Sequence, residues 1–100
     1  MQIIKRLSEM IDDEIDVAID YAKNAVLHKG DNLGEMFSEL SNDELEHVDR
    51  LHKAVVDKIK EAEDTGKTIP TGMMEIWEYL HKRQIERVDE ARRYLMQFQA

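Results

Sequence analysis

Residues 33–62 read LGEMFSELSNDELEHVDRLHKAVVDKIKEA, thirty positions with no proline and a single glycine near the start. Leu33, Phe37, Leu40, Val48, Leu51, Val55, Ile59 and Ala62 fall on one side of a helix when each residue advances by about 100°. No strand-like alternation competes with that period. The segment predicts a helix over 33–64, about 48 Å long at about 1.5 Å per residue. Its apolar stripe carries one anomaly: Glu44 sits at the centre, with His47 on the edge three positions on.

The flanks punctuate the pattern. Upstream, His28-Lys29-Gly30-Asp31-Asn32 offers a glycine stop followed by a cap, and Asn32 with Glu35 reads as a capping box. Downstream, in the stretch Asp64 to Gly72, Gly66 suits a helix C-terminus and Pro70 has no N–H to continue a helix. Helices are therefore expected at about 2–29, 33–64 and 71–98. Ser41-Asn42-Asp43-Glu44 also has the capping-box pattern, which predicts a kink within the second helix. Short connections make neighbouring helices antiparallel. The fold class is all-α, an antiparallel hairpin plus a third helix in one domain over 1–100.

Composition narrows the function. One hundred residues lie near the lower limit for a self-sufficient core, and a chain 36% charged in long helices makes that core thin. A homo-oligomer, dimer or larger, is expected. The formal charge of −8 disfavours nucleic acid and anionic membrane surfaces and is compatible with cations. The absence of cysteine excludes disulfides, zinc–thiolate sites and thiol nucleophiles. No apolar run approaches the roughly 18 residues of a membrane span, and the N-terminus is amphipathic rather than signal-like. Cytoplasmic location is the default expectation.

Helix 1 repeats the anomaly. Ile3, Leu7, Met10, Ile11, Val17, Ala18, Tyr21 and Ala25 lie within about 60° of one direction, and Glu14 is at its middle. An ionised carboxylate in an apolar stripe costs several kcal/mol unless compensated. No lysine or arginine is central to either stripe; Lys58 is the nearest. A metal cation compensates better, and Glu44-x-x-His47 presents oxygen and nitrogen side by side on one helix face. Among twelve glutamates and four histidines the bare Glu-x-x-His spacing is weak, and it recurs at Glu78-x-x-His81. The positions of Glu14 and Glu44 carry the argument. The competing reading is a polar cluster that fixes helix register.

Glu14, Tyr21 seven residues on, and Glu44-x-x-His47 together resemble the ferritin-like superfamily, the rubrerythrins and half-size encapsulated ferritins above all. The resemblance spans about residues 10–60. It implies a di-iron centre, oxidation of ferrous iron by oxygen or peroxide, and assembly into oligomers. Two departures stand out. The chain holds one Glu and one Glu-x-x-His, half of a full ferritin site, and its end, Tyr94 to Ala100, shows no recognisable peptide for loading into an encapsulating compartment.

Helix 3 does not supply the missing half. Its stripe runs through Met73, Trp77, Leu80, Gln84, Val88, Ala91 and Leu95, and Glu78 points about 115° and His81 about 55° from the centre. Their height along the hairpin is wrong by roughly 10 Å. Dimerisation solves the count: two copies of Glu14, Glu44 and His47 give four carboxylates and two imidazoles in a four-helix-bundle-like di-iron site. Carboxylate and imidazole suit iron or manganese.

The other candidates have plainer readings. Tyr21 is a packing residue or a redox partner of the metals. Glu9, Asp12, Asp16 and Asp20 form an acidic row on the outer face of helix 1, either solvated or a route for incoming iron. Asp49-x-x-His52 is expected as a surface pair, His28 as a helix cap and Trp77 as a core anchor. The functional expectation is a di-iron protein that oxidises Fe(II), a ferroxidase, with Glu14, Glu44, His47 and Tyr21 in its site. The rival is a helical assembly or adaptor module, free of metal, whose Glu/His cluster sets the register of an interface.

Overall fold

Glycines with left-handed backbones divide the chain into three helices. In the computed structural model, which describes residues 2–100, these are α1 (Gln2–Leu27), α2 (Asn32–Asp64) and α3 (Thr71–Gln99). All three expected helices are present, and α1 ends two residues earlier than its periodicity predicts. Gly66, at φ +72°, closes α2: its N–H donates to the Glu63 carbonyl and the Lys67 N–H reaches back to Ala62. That is the paired arrangement by which a glycine just past a helix satisfies its last carbonyls.

Two capping expectations are corrected. Asp31, not Asn32, caps α2; its carboxylate accepts from the N–H groups of Leu33 and Gly34. Desolvation acts to raise its pKa, but is outweighed by hydrogen bonds from Leu33, His28 and Gly34 that hold it below the usual carboxylate value. The Ser41–Glu44 pattern caps nothing, because α2 is continuous through it. Ser41 is buried instead and donates its hydroxyl to the Ala18 carbonyl of α1, at 2.7 Å.

The helices make a rod 54 × 18 × 18 Å, with α1 packed against both partners and α2 touching α3 only lightly. The core is Ile4, Ile11, Ile15, Ala18, Ile19 and Ala22 of α1, met by Leu45, Val48 and Val55 of α2 and by Trp77, Ala91 and Leu95 of α3. Small residues let the hairpin close tightly at its turn. At Gly34 a Cβ would run into the His28 carbonyl and the Phe98 ring.

This core is rotated from the stripes read in the sequence. Ile3, Met10 and Val17 are exposed, whereas Ile4, Ile15 and Ile19 are buried. The helices have two apolar faces, which the stripe reading had merged. The second runs Ile3, Leu7, Met10, Glu14, Val17, Tyr21 on α1 and Leu33, Phe37, Leu40, Glu44, His47, Leu51 on α2. Both series alternate steps of four and three, the 3.5-residue period of a helix-packing seam. Within one chain this seam is half open: Ile3, Met10, Val17 and Leu33 are between 38% and 46% exposed.

Candidate metal centre

Glu14 and Glu44 lie midway along the seam, each on its own helix. The antiparallel hairpin brings their levels together, and His47, one turn beyond Glu44, completes the group. His47 Nδ1 is 3.3 Å from Glu14 Oε2 and 3.5 Å from Glu44 Oε2. One donor atom from each of the three residues lies within 4.8 Å of the others, and this is the one such trio among the described residues. Their side chains are 33%, 20% and 50% exposed in the order Glu14, Glu44, His47. The carboxylates therefore stand at the margin of the core rather than inside it.

The arrangement suits a single cation in one chain. Two carboxylates supply negative charge, a neutral imidazole supplies nitrogen, and neighbouring apolar side chains leave few competing donors. Lys58, the basic residue nearest the centres of the stripes, pairs instead with Glu61 at 3.3 Å. The three groups fit iron or manganese in donor type, and His47 Nδ1 lies within hydrogen-bond distance of Glu14 Oε2.

The remaining candidates disperse. Tyr21 is half-buried on the same seam, two turns from Glu14, with its ring centroid 6.1 Å from that of Phe37. Glu78 is exposed, away from the trio. His81 is also separate: its ring stacks on those of Trp77 (5.2 Å) and His52 (4.5 Å), which are themselves 5.8 Å apart, on the α2–α3 side. Burial, and then the charge of His52, lower the His81 pKa below the ordinary imidazole value. Trp77 is a core anchor, as its spacing predicts.

Three sequence readings need correction. The acidic row of α1 is only partly an outer face: Glu9 and Asp20 are exposed as expected, but its two middle carboxylates reach α3. Asp12 accepts from Gln84 Nε2 at 3.0 Å and Asp16 pairs with Arg87, so these carboxylates hold α3 against α1. His28 caps no helix carbonyls; its Nδ1 lies 3.3 Å from the Asp31 carboxylate and steadies the next helix start. Asp49 is exposed as expected, but His52 is half-buried, its ring against those of Trp77 and His81. Sequence reasoning also missed Gln84 as a polar group. It sits on the apolar stripe of α3, and its side chain bridges to Ser8 and Asp12. A lone glutamine in an apolar stripe was the available signal.

No helix among the described residues is long and apolar enough to cross a membrane. Searches against protein-family models, curated proteins and solved structures returned no match to this chain. The chain is thus a small all-α helical fold with a partly buried Glu/Glu/His cluster, consistent in general terms with a ferritin-like metal-binding fold.

Proposed function

We propose that the chain is a ferritin-like di-iron protein in which two copies pair through the α1–α2 seam and oxidise Fe(II) between them. One observation carries this reading: the Glu14–Glu44–His47 trio lies in the middle of an apolar seam that a single chain leaves half exposed. Two-fold pairing of that seam doubles the donors to four carboxylates and two imidazoles and forms a four-helix bundle around them. Iron is the substrate, and manganese fits the same donors.

In this reading Glu14 and Glu44 bind and neutralise the incoming cations, and His47 orients them through its ring nitrogen. The seam's leucines and methionines exclude water, which strengthens each electrostatic contact. Two Fe(II) ions each lose one electron, and dioxygen takes both electrons with two protons to leave as hydrogen peroxide. Tyr21, on the same face about 10 Å along the helix at 1.5 Å per residue, serves as a phenolic redox partner rather than a ligand. The chain is then a ferroxidase, an Fe(II):oxygen oxidoreductase.

A second reading has its own observation. The 3.3 Å contact between His47 and Glu14 already pairs two members of the cluster across the hairpin, as a register-setting polar group in an assembly module would. Anaerobic Fe(II) titration, followed by oxygen uptake on exposure to air, separates the two. Glu44→Ala and His47→Ala each abolish stoichiometric Fe(II) binding and oxygen uptake with the helical far-UV signal intact, whereas Glu78→Ala leaves both near wild type. Equal losses in all three variants, or no binding by the wild type, would remove the di-iron reading.

A further inference from the structure

α3 rests on α1, to which Gln84 and Arg87 tie it through Asp12 and Asp16, and it meets α2 only lightly. Where it does meet α2, three rings make the contact. The imidazoles of His52 and His81 stack with 4.5 Å between centroids, and the Trp77 indole lies 5.2 Å from His81 and 5.8 Å from His52. Trp77 is 7% exposed, and both imidazoles are half-buried. Beside the rings lies a cavity of about 220 Å³, lined by Ile11 of α1, Val48 of α2, and Ile85 and Val88 of α3. Its carboxylates are Asp49, one turn before His52, and Asp89, further along α3; α1 adds no ionisable group to it. The charged neighbours Lys53, Glu78 and Lys82 are exposed, and Lys5, Glu9 and Asp12 of α1 line a separate cavity against Trp77. Among the described residues, the ion pairs of histidine belong to His28 and His47.

Two neutral imidazoles stack without penalty, whereas two imidazolium rings at this separation repel, and neither has an anion paired with it to offset the charge. We propose that the His52–His81 stack is an acid-released clasp, which holds α3 against α2 at neutral pH and lets them part when both rings are protonated, opening the apolar cavity to water. Linkage gives the direction. Burial, and then the charge of His52, depress the His81 pKa below 6.5 in the closed form. Parting the rings removes both causes, so the open form binds one more proton between the closed-form value and pH 6.5. The open form is therefore favoured as pH falls through that window, by at most about tenfold per pH unit. Gln84 and Arg87 keep α3 on α1, so the change is a local swing of α3 from α2 rather than unfolding. It involves neither the seam nor the Glu14–Glu44–His47 trio.

The test uses the full chain without metal, so its outcome is independent of the di-iron reading. Trp77 is the only tryptophan, and its emission reads the clasp. From pH 7.5 to 5 the emission should move to the red and acrylamide should quench it at least twofold more efficiently, with the far-UV helical signal unchanged. His52→Gln and His81→Gln should each flatten both profiles. Constant emission, a change that persists in both histidine variants, or a change accompanied by loss of helical signal overturns the clasp. If a histidine variant fails to fold, spin labels on Val56→Cys and Tyr79→Cys decide; both positions are exposed, on α2 and α3, and the chain has no cysteine of its own. In labelled chains diluted with unlabelled protein, a longer distance at pH 5 than at pH 7.5 supports the clasp, and an unchanged distance overturns it.

Discussion

Glu14 and His47, thirty-three residues apart in sequence, meet at 3.3 Å because Gly30 and the Asp31 cap fold α1 and α2 into a tight hairpin. The site thus depends on the turn as much as on its own side chains.

That dependence makes Gly34 sensitive. Gly34→Ala would press a methyl group into the His28 carbonyl and the Phe98 ring, and a backbone carbonyl cannot step aside. Overpacking of this kind typically costs about 1–3 kcal/mol. Urea denaturation should show a lower midpoint, and metal affinity should fall as α1 and α2 splay.

Asp31→Ala tests the cap. Its loss leaves the Leu33 and Gly34 N–H groups without their side-chain acceptor and should lower stability. Because the Asp31 pKa is lowered in the folded chain, its contribution is present above the unfolded carboxylate pKa of 3.8 and is lost as pH falls through the folded value. The difference in melting temperature between wild type and variant should be full at pH 6 and shrink as the pH is taken below 3.8.

His81 gives a pH dependence in a higher window. Its folded pKa is depressed below the 6.5 of the unfolded chain, so the unfolded state binds more protons there. Stability should fall as pH drops from above 6.5 toward the folded value and level off below it. Thermal melts of metal-free protein at pH 8 and 5.5 should show the decrease, and His81→Gln should flatten the profile.

The hairpin and third helix were legible because glycine, proline and a 3.6-residue period mark them locally. The trio was legible because Glu14, Glu44 and His47 interrupt apolar series. What the period could not resolve was which apolar face each helix turns inward. Ile3 and Ile4, or Met10 and Ile11, are equally apolar neighbours, and only the packing of α3 against α1 decides between them. The partners of Asp12 and Asp16 were hidden for the same reason. Gln84 and Arg87 are more than seventy residues away, and nothing local pairs them.

The open seam predicts self-association. In the proposed pairing the exposed Ile3, Met10, Val17 and Leu33 are the surface that a second copy covers. Light scattering at micromolar concentration should return at least twice the chain mass of 11.7 kDa. Val17→Lys, which puts a charge in the seam, should shift the protein toward monomer without loss of helicity and should replace paired Fe(II) binding with weaker single-ion binding.

Iron K-edge X-ray absorption on protein loaded anaerobically with one Fe(II) per chain tests the shared di-iron site most directly. Two-fold pairing of Glu14, Glu44 and His47 predicts nitrogen and oxygen donors around each ion and a second iron at about 3.5–4 Å, the separation usual in two-metal sites. The iron–iron signal should vanish in Val17→Lys. A spectrum with no iron neighbour, or one unchanged in His47→Ala, would contradict the account.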